Sequence, residues 1–318
     1  MGPEGIDQLL AARKAELACY SPYYFLRQIP AELQQTQFGT GAAARWGQRA
    51  GQETYSVSGP DGLVHWLLEQ LPWDSGYFGA PVFRLFTGLF GQRVTSGELV
   101  RAATALRQRL AGQNDVFYAF GVVPAEDVRL LQGLTAAGWR LVETRLTYYR
   151  DRLPEFDFPR QPVRGAALGE AACLGRIAAT ASNPYDRYHA DEWFGPARAD
   201  AYVAKYAENT VAGGLAATVL VPDVSGLPVD SFLAISDLTA DAAALQTRLS
   251  RVLLSAVGPA NRGWHVKLVA ETLHRAKSLS HEAVLMTTQS TNHAVFRTCE
   301  KLGFRLGATS HVVACSSR

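Results

Sequence analysis

The stretch from Leu253 to Phe304 decides the fold and reads LLSAVGPANRGWHVKLVAETLHRAKSLSHEAVLMTTQSTNHAVFRTCEKLGF. It opens with an apolar, strand-like run that breaks at a loop containing Arg262-Gly263-Trp264. A helical pattern follows, then the apolar run 282–288, and then a second helical segment that begins at Asn292 and stops at Gly303. The order is therefore strand, glycine loop, helix, strand, helix. A loop of this kind at a helix N-terminus can bind the phosphates of a nucleotide-like cofactor.

Composition places the chain among ordinary globular proteins. Its 318 residues include 47% hydrophobic and 19% charged residues, enough to bury a core. That length favours two domains of about 150 residues each. The formal net charge is only +2 and no basic run occurs, so we expect no nucleic-acid partner.

Cysteine usage and hydropathy indicate the compartment. The four cysteines, Cys19, Cys173, Cys299 and Cys315, are far apart and form no CxxC pair. We therefore expect no zinc or disulfide framework and a reducing cytosol. No signal-peptide pattern opens the chain and no apolar run approaches the roughly 18 residues that cross a bilayer. The sequence predicts a soluble, cytoplasmic protein with no membrane partner.

The first half of the chain predicts an extra helix and insert before a strand-rich domain. Apolar spacing predicts a helix over 6–18, and the Gly-, Ala- and Gln-rich segment 36–58 predicts a loop-rich insert. LPWDSGYFGAP (71–81) predicts a turn-rich entry to a strand, with its aromatic residues packed in the core. A helix over 97–110 and a strand over 115–123 follow.

An internal similarity suggests a duplicated unit. A helix predicted from Pro124 stops at Gly138, and Trp139-Arg140-Leu141 begins the next strand; Gly303 is likewise followed by Phe304-Arg305-Leu306. Both helices follow a strand, which favours two related strand–helix–strand units, although coincidence remains an alternative. The proline-rich segment 151–162 predicts a linker. We therefore predict an N-terminal domain over 1–155 and a C-terminal domain over 160–318.

The second half alternates helices and strands. Helices are predicted over 168–181 and 197–211, with an irregular polar segment over 182–196 between them. Strands are predicted over 215–221, 231–238 and 245–257. This alternation predicts an α/β (α+β) domain with a mixed sheet.

Two motifs carry a resemblance to the GNAT superfamily of N-acetyltransferases. Val257-Gly258-Pro259 followed by Arg262-Gly263-Trp264-His265-Val266-Lys267 resembles the family's strand end and its Arg/Gln-x-x-Gly-x-Gly/Ala loop. Asn292 and, seven residues later, Cys299-Glu300-Lys301-Leu302-Gly303-Phe304 resemble Asn…Tyr-Glu-Lys-x-Gly-Phe. The resemblance covers about 160–318. It implies a mixed, mostly antiparallel sheet flanked by helices, preceded by a smaller, degenerate GNAT-like domain.

The resemblance also implies acetyl-CoA as co-substrate. Backbone N–H groups at the helix start would bind its pyrophosphate, contributed by Arg262, Gly263, Trp264, His265, Val266 and Lys267. The strand ending at Val257 would splay from its neighbour and hold the pantetheine arm, with Asn292 also near the cofactor. An N–H near Ala256 or Val257 would polarise the thioester carbonyl. The acceptor amine then needs a base, and the departing thiolate needs an acid.

Three residues depart from the family pattern. His265 and Lys267 stand where the loop has small residues, and Cys299 stands where the family places the tyrosine that acts as acid. Cys299 is therefore a candidate acid or, alternatively, a small buried residue. His265 could equally be a surface helix residue. Asn292 could cap its helix with or without touching the cofactor.

Within the superfamily the chain is most similar to nucleotide-sugar 4-amino N-acetyltransferases of the dTDP-fucosamine type. The likeness rests on 71–81 and on Asp186-Arg187-Tyr188-His189-Ala190-Asp191, followed by Tyr202 and Tyr206. By this likeness His189 or Asp191 is a candidate base, Arg187 a candidate phosphate ligand and Tyr188 a candidate substrate contact. Alternatively, Asp191 caps the following helix and His189 is solvated.

These observations predict an acyl-CoA-dependent N-acyltransferase. The partner is a small-molecule primary amine, most simply that of a nucleotide-linked amino sugar. The sequence leaves the oligomeric state open, with a homodimer as one candidate. Two alternatives remain: an acetyltransferase of the same fold that acts on a peptide, amino acid or polyamine, and a degenerate protein that only binds acyl-CoA.

Overall fold

The computed structural model describes residues 5–181 and 183–317. Residues 1–4, Ser182, which begins the predicted irregular segment 182–196, and Arg318 lie outside the described residues. The chain divides into two compact units. Unit 1 contains residues 1–145 and 308–318, and unit 2 contains residues 146–307. The division falls about ten residues before the predicted domain boundary, and the C-terminal strand belongs to unit 1 rather than to the C-terminal half.

Unit 1 opens with four short helices, α1 (Ile6–Ala12), α2 (Lys14–Ala18), α3 (Ala31–Gln37) and α4 (Thr40–Ala44). The single helix predicted over 6–18 is broken at Arg13, whose φ of −107° and ψ of 9° lie outside the helical range. The loop-rich insert predicted over 36–58 is also wrong, because α4 and the first strand lie within it. Alanine is a strong helix former, which the Gly and Gln content of this segment obscured.

The sheet of unit 1 contains β1 (Gln52–Gly59), β2 (Gly62–Gln70), β3 (Val82–Phe90), β4 (Tyr118–Pro124), the first part of β5 (Arg140–Arg150) and the end of the chain's final strand. The final strand of the chain returns to β4, pairing residues 310–316 with 118–124 in antiparallel register. The pairs β1–β2 and β2–β3 are antiparallel, whereas β3–β4 is parallel.

Three further helices belong to unit 1: α5 (Pro72–Phe78), α6 (Ser96–Gln113) and α7 (Val128–Ala136). The segment predicted as a turn is α5, and its Trp73 and Tyr77 are 48% and 37% exposed, so the prediction of core packing is wrong. Pro124 ends β4 instead of beginning a helix, since α7 starts four residues later. The predicted helix over 97–110 is confirmed as α6.

Unit 2 contains β6 (Val163–Gly165), α8 (Ala171–Thr180), α9 (Arg187–Ala190), α10 (Pro196–Val211), β7 (Thr218–Pro222), β8 (Ser231–Ser236), α11 (Thr239–Leu245), β9 (Leu249–Val257), α12 (Trp264–Ser278), β10 (Ala283–Gln289) and α13 (His293–Lys301). The last strand, β11 (Arg305–Ser316), begins here and ends in unit 1. The strand predicted over 245–257 begins only at Leu249, because α11 precedes it and Gln246 ends that helix at φ 55°.

Strand order in unit 2 is β10-β9-β8-β7-β6, and the end of β5 lies beside β10. The β9–β10 pair is parallel and the pairs from β9 to β6 are antiparallel. Helices cover both faces of this sheet. Leu233 and Ile235 of β8 point to the face packed by α12 and α13, whereas Phe232 and Ala234 point to the face packed by α8 and α10. The predicted mixed, mostly antiparallel sheet flanked by helices is confirmed.

The proline-rich segment predicted as a linker packs into unit 2. Leu153 and Phe156 are 1% and 5% exposed and join the core beneath α12. Lys277 of that helix donates to the Phe156 carbonyl at 2.8 Å. The segment is therefore a structural part of unit 2, since free linkers do not bury apolar side chains.

Both units contain the same arrangement of elements. Each has an antiparallel strand pair, a helix, a parallel strand, a second helix and then a glycine with positive φ, Gly138 at 88° and Gly303 at 70°. Only glycine adopts this conformation at little cost. The aromatic residue after each glycine is buried, Trp139 at 2% and Phe304 at 8% exposure. The shared order favours the duplication, and the assignment of unit 1 as a degenerate copy remains a prediction.

Candidate functional site

A crevice opens in unit 2 where β9 and β10 diverge. Their parallel pairing runs only from Leu249–Ala283 to Val252–Met286. Beyond it β9 continues to Val257 while still paired with β8, and the register with β8 shifts between Ala234 and Ile235. This shift marks a bulge in β9, and bulges bend a strand away from its neighbour. Among the described residues, 253–257 therefore have one backbone edge without a partner strand.

Helix α12 begins directly after the crevice. Gly263 precedes its first residue with φ 87°, which explains why glycine stands there, and no side chain caps the helix. The first backbone N–H groups of a helix have no intrahelical acceptor and carry the positive end of the helix dipole. The predicted cofactor residues Arg262, Trp264 and Val266 lie in this turn. The Lys267 ammonium lies 4.4 Å from the Trp264 ring centroid.

Two residues that sequence reasoning missed hold this loop in place. Asn261 is 1% exposed, accepts from the Ser231 hydroxyl at 2.7 Å and donates to the Pro228 carbonyl at 3.2 Å. Asp230 accepts from the Ala260 N–H at 2.8 Å. The only sequence signal was the Gly-Pro dipeptide at the strand end. A Cβ on Gly258 would approach the Asp230 carboxylate to 2.2 Å, so this contact requires glycine.

His265 joins α12 to α13. Its Nδ1 lies 2.9 Å from the Thr298 hydroxyl, and that hydroxyl also donates to the Ala294 carbonyl at 3.2 Å. The hydroxyl has one proton to give, so this pairing makes the Nδ1–H of His265 the donor and leaves Nε2 as an acceptor. Nε2 is buried without a hydrogen-bond partner. Burial lowers the pKa of His265 to about 4, so the ring is neutral at pH 7. The alternative that His265 is an ordinary surface residue is wrong.

The depressed pKa of His265 predicts a pH dependence of stability. The unfolded chain takes up a proton near pH 6.5 that folded His265 refuses until about 4. Stability is therefore full above pH 6.5 and is lost as pH falls towards 4, by up to about 3 kcal/mol at 1.36 kcal/mol per pKa unit. We expect H265Q, which keeps a group able to bond Thr298, to lack this loss. Urea titrations of the wild type and of H265Q at pH 7 and at pH 4 measure this loss of stability. An equal loss in the two proteins would contradict the burial of a neutral ring.

Cys299 does not reach the crevice. Its side chain is fully buried in the core of unit 2, and burial, with a smaller effect of Glu300, raises the pKa of the thiol to about 12. The prediction that Cys299 acts as the acid is therefore corrected. The alternative, a small buried residue, fits.

Tyr148 offers the phenol that position 299 lacks. Burial raises the pKa of Tyr148, with smaller contributions from Cys299 and Glu300 of α13. Its ring lies 6.0 Å from the Phe296 ring of α13. Sequence reasoning missed Tyr148, because a tyrosine in a strand is common and its position beside α13 depends on the tertiary fold.

Asn292 caps α13, as predicted. Its side chain accepts from the Val295 N–H at 3.3 Å. At the crevice end of β10, Gln289 accepts from the Asn183 side chain at 2.8 Å, which brings the loop after α8 to that end. Ala256 is 7% exposed and pairs with Phe232, and Val257 pairs with Ser231. That one of their N–H groups polarises the thioester carbonyl stays a prediction. The bulge in β9 lies at Leu253, several residues before them.

The two predicted bases are already engaged. His189 Nδ1 lies 2.8 Å from Asp186 and Nε2 lies 3.1 Å from Asp200, so both ring nitrogens are occupied. Asp191 is 4% exposed and accepts from the Trp193 N–H at 3.2 Å. The alternative that it caps the following helix is wrong, because α10 begins after Gly195 and no side chain caps it. His189 therefore bridges Asp186 and Asp200 and is not the solvated side chain of the alternative.

The predicted substrate residues form an aromatic cluster beside α10. Arg187 is 6% exposed, bonds the Tyr188 hydroxyl and lies 4.5 Å from the Tyr188 ring centroid. The ring centroids of Tyr188 and Tyr202 lie 4.3 Å apart. Burial raises the pKa of Tyr206, Tyr188 adds to the rise and Arg251 of β9 opposes it, so these groups share one neighbourhood. The cluster therefore lies beside the strand that forms the crevice.

Two further classes of site find no support in the described residues. Within 5–181 and 183–317 no group of three or more His, Cys, Asp or Glu side chains could hold a metal ion. Across the same described ranges no helix is both long and apolar enough to span a bilayer.

Solved structures of GCN5-related N-acetyltransferases share this fold. One from Sphaerobacter thermophilus is 12% identical over 99% of this chain and 95% of its own, with a TM-score of 0.57. The glucosamine N-acetyltransferase region of a fungal multi-domain GH3 β-N-acetylglucosaminidase is 12% identical over 98% of this chain and 37% of that chain, with a TM-score of 0.55. A Staphylococcus epidermidis protein of unknown function has a TM-score of 0.51 at 11% identity, over 82% of this chain and 94% of its own.

Sequence comparison adds no relative. No known family profile matches the chain, and no curated protein matches it. The structural likeness, at identities this low, establishes that the chain has the fold of GCN5-related N-acetyltransferases.

Proposed function

We propose that unit 2 binds acetyl-CoA and transfers its acetyl group to a primary amine. The observation that carries this proposal is the divergence of β9 from β10, followed at once by the uncapped helix α12. A crevice edge with unpaired backbone groups suits an amide-containing arm. The helix start beyond it suits a pyrophosphate.

The residues around the crevice fit this ligand. The turn from Arg262 to Lys267 offers N–H donors and two cations to the phosphates, and residues 253–257 offer backbone groups to the pantetheine arm. The buried, unpartnered Nε2 of His265 is a further polar atom that a ligand N–H would satisfy, since leaving it unpaired costs about 1–3 kcal/mol. When bound, the cofactor supplies an activated acyl thioester.

The acid in this proposal is Tyr148, not Cys299. Positioned acids contribute about 100-fold to 10,000-fold in rate, so Y148F, which removes only the hydroxyl, should lower kcat by about tenfold or more while the Kd for acetyl-CoA holds. C299A is the matched control. It should leave kcat within about threefold and cost about 1–2 kcal/mol of stability through the cavity it leaves. Thiol-release kinetics measure kcat for both variants. A large loss of kcat in C299A with little change in Y148F would restore Cys299 as the acid.

For the acceptor we propose the amine of a nucleotide-linked amino sugar, of the dTDP-fucosamine type. Arg187, beside Tyr188, is a cation suited to an acceptor's phosphates. Tyr188 and Tyr206, which are both partly exposed, supply aromatic faces of the kind that contact sugar rings and bases. The likeness to a glucosamine N-acetyltransferase region is in keeping with an amino-sugar acceptor. A peptide, amino acid or polyamine is the alternative acceptor.

Two observations favour a second candidate, an acyl-CoA-binding protein without transferase activity. Cys299 is buried where the family has its acid, and both predicted bases are engaged in structural bonds. A protein of this kind would bind acetyl-CoA and release no thiol with any amine.

A two-stage experiment tests the proposal. Thermal shift with acetyl-CoA comes first, and thiol release with a panel of dTDP- and UDP-amino sugars, amino acids and polyamines comes second. Binding with amino-sugar turnover supports the proposal in full. Binding with turnover of another amine replaces the acceptor, and binding without turnover favours the second candidate. Folded protein that shows no shift with any acyl-CoA contradicts both.

A further inference from the structure

Unit 1 contains the same kind of crevice as unit 2. The parallel pairing of β3 and β4 stops at Leu85–Gly121, although β3 continues to Phe90. The register between β2 and β3 shifts between Leu67 and Leu68, which marks a bulge at Phe86. The bulge in β3 and its divergence from β4 thus correspond to the bulge in β9 and its divergence from β10.

The N-terminal helices fill this crevice. Arg13 donates from Nε to the Gly88 carbonyl of β3 at 3.2 Å and from Nη1 to Asp127, just beyond β4, at 2.9 Å. Tyr20 also donates to Asp127 at 2.9 Å and accepts from Thr87 of β3 at 3.0 Å. Two side chains of the N-terminal segment therefore bridge the strands at the point where they separate.

The bridge is closed to solvent. Arg13 is 2% and Asp127 0% exposed, and the Arg13 guanidinium lies 4.4 Å from the Phe90 ring centroid. Burial raises the pKa of Tyr20 well above its ordinary value, so the phenol stays a neutral donor. The bulge residue Phe86 packs against Tyr20 at 5.3 Å and stacks on Trp46 at 5.0 Å.

The helix after β3 is also unlike α12. Thr95 caps α6 by accepting from the Glu98 N–H at 3.3 Å, and Glu98 places a carboxylate in the first turn. A capped helix start with a negative charge disfavours an anion. In each unit one residue precedes the helix that follows the parallel strand. In unit 1 this residue is Asp127, which forms an ion pair with Arg13. In unit 2 it is Asn292, which caps its own helix.

We propose that Arg13 and Tyr20 form a built-in plug of the unit 1 crevice. The plug takes the space that unit 2 leaves for a ligand, so unit 1 is closed to acyl-CoA and the chain binds a single molecule of it. The ligand in this statement rests on the function proposed for unit 2. The plug itself rests only on contacts within unit 1.

Amide hydrogen exchange on the full chain without ligand tests the plug. We expect residues 86–90 of β3 to exchange at least about tenfold more slowly than residues 253–257 of β9, because plugged backbone opens only with the fold. Equal rates in the two segments would overturn the proposal. In R13A/D127N, which leaves no buried charge unpaired, exchange at 86–90 should rise towards the rate at 253–257, and an unchanged rate would also overturn it.

Ligand stoichiometry separates this proposal from the function of unit 2. Titration with acetyl-CoA should saturate at one molecule per chain, with slower exchange at 253–257 and none of this protection at 86–90. A second molecule, or protection at 86–90, would overturn the plug. If no acetyl-CoA binds, the function proposed for unit 2 fails, and the ligand-free exchange rates still decide whether the plug exists.

Discussion

D127A should lower the free energy of unfolding by about 3–5 kcal/mol, the range typical of breaking a buried ion pair. The loss is large because Arg13 would keep its charge in a site that is 2% exposed, with its bidentate partner gone. Tyr20 would lose an acceptor at the same time. Urea unfolding followed by tryptophan fluorescence measures the change.

Two controls isolate the buried charge. E69A on β2 breaks the pair with Arg84, which is 46% exposed, and should cost no more than about 1 kcal/mol. R13M/D127L removes both charges and fills the space with apolar atoms, so it should be clearly more stable than D127A. A loss below 1 kcal/mol in D127A, or a double variant as unstable as the single one, would contradict the bridge.

R262E should weaken acetyl-CoA binding by about tenfold to 100-fold, which corresponds to about 1.4–2.7 kcal/mol. Arg262 is exposed and precedes the uncapped start of α12, so the substitution replaces a cation beside the phosphates with a carboxylate. Its exposure means that folding should be unaffected. Isothermal titration at two salt concentrations measures the change, which should shrink as salt rises.

R248E is the matched control for this charge reversal. Arg248 is also exposed and precedes the opposite end of β9, so the same change in net charge falls far from α12. We expect its Kd to stay within about twofold of the wild type, because exposed charges beyond about 10 Å are screened at physiological salt. Equal weakening by both variants would mean that net charge, rather than the helix start, governs binding.

Local patterns predicted the part of the fold that lies between Leu253 and Phe304. The glycine at position 263 and the cap at Asn292 act within one turn of their own helices, so the residues nearby were enough to place them. The order of helices and strands along this stretch followed from the alternation of apolar runs and helical patterns. The resemblance, rather than local pattern, implied that β9 would splay from its neighbour, and its pairing with β10 stops at Val252.

Contacts between distant residues could not be predicted in this way. Arg13 meets Asp127 across 114 residues, and the helix predicted over 6–18 is interrupted at the same residue. Cys299 has the right spacing from Asn292, yet its helical face packs inward. The engagement of His189 by Asp186 and Asp200 likewise depends on where α10 lies. In each of these cases tertiary packing decided the role of the residue.

Titration of the full chain with acetyl-CoA tests the central claim most directly. The account predicts saturable binding of one molecule per chain, lost in large part in R262E and retained in R248E. Folded protein that takes up no acetyl-CoA, or that binds it equally well in R262E, would contradict the assignment of the crevice beside β9 and α12 as an acyl-CoA site.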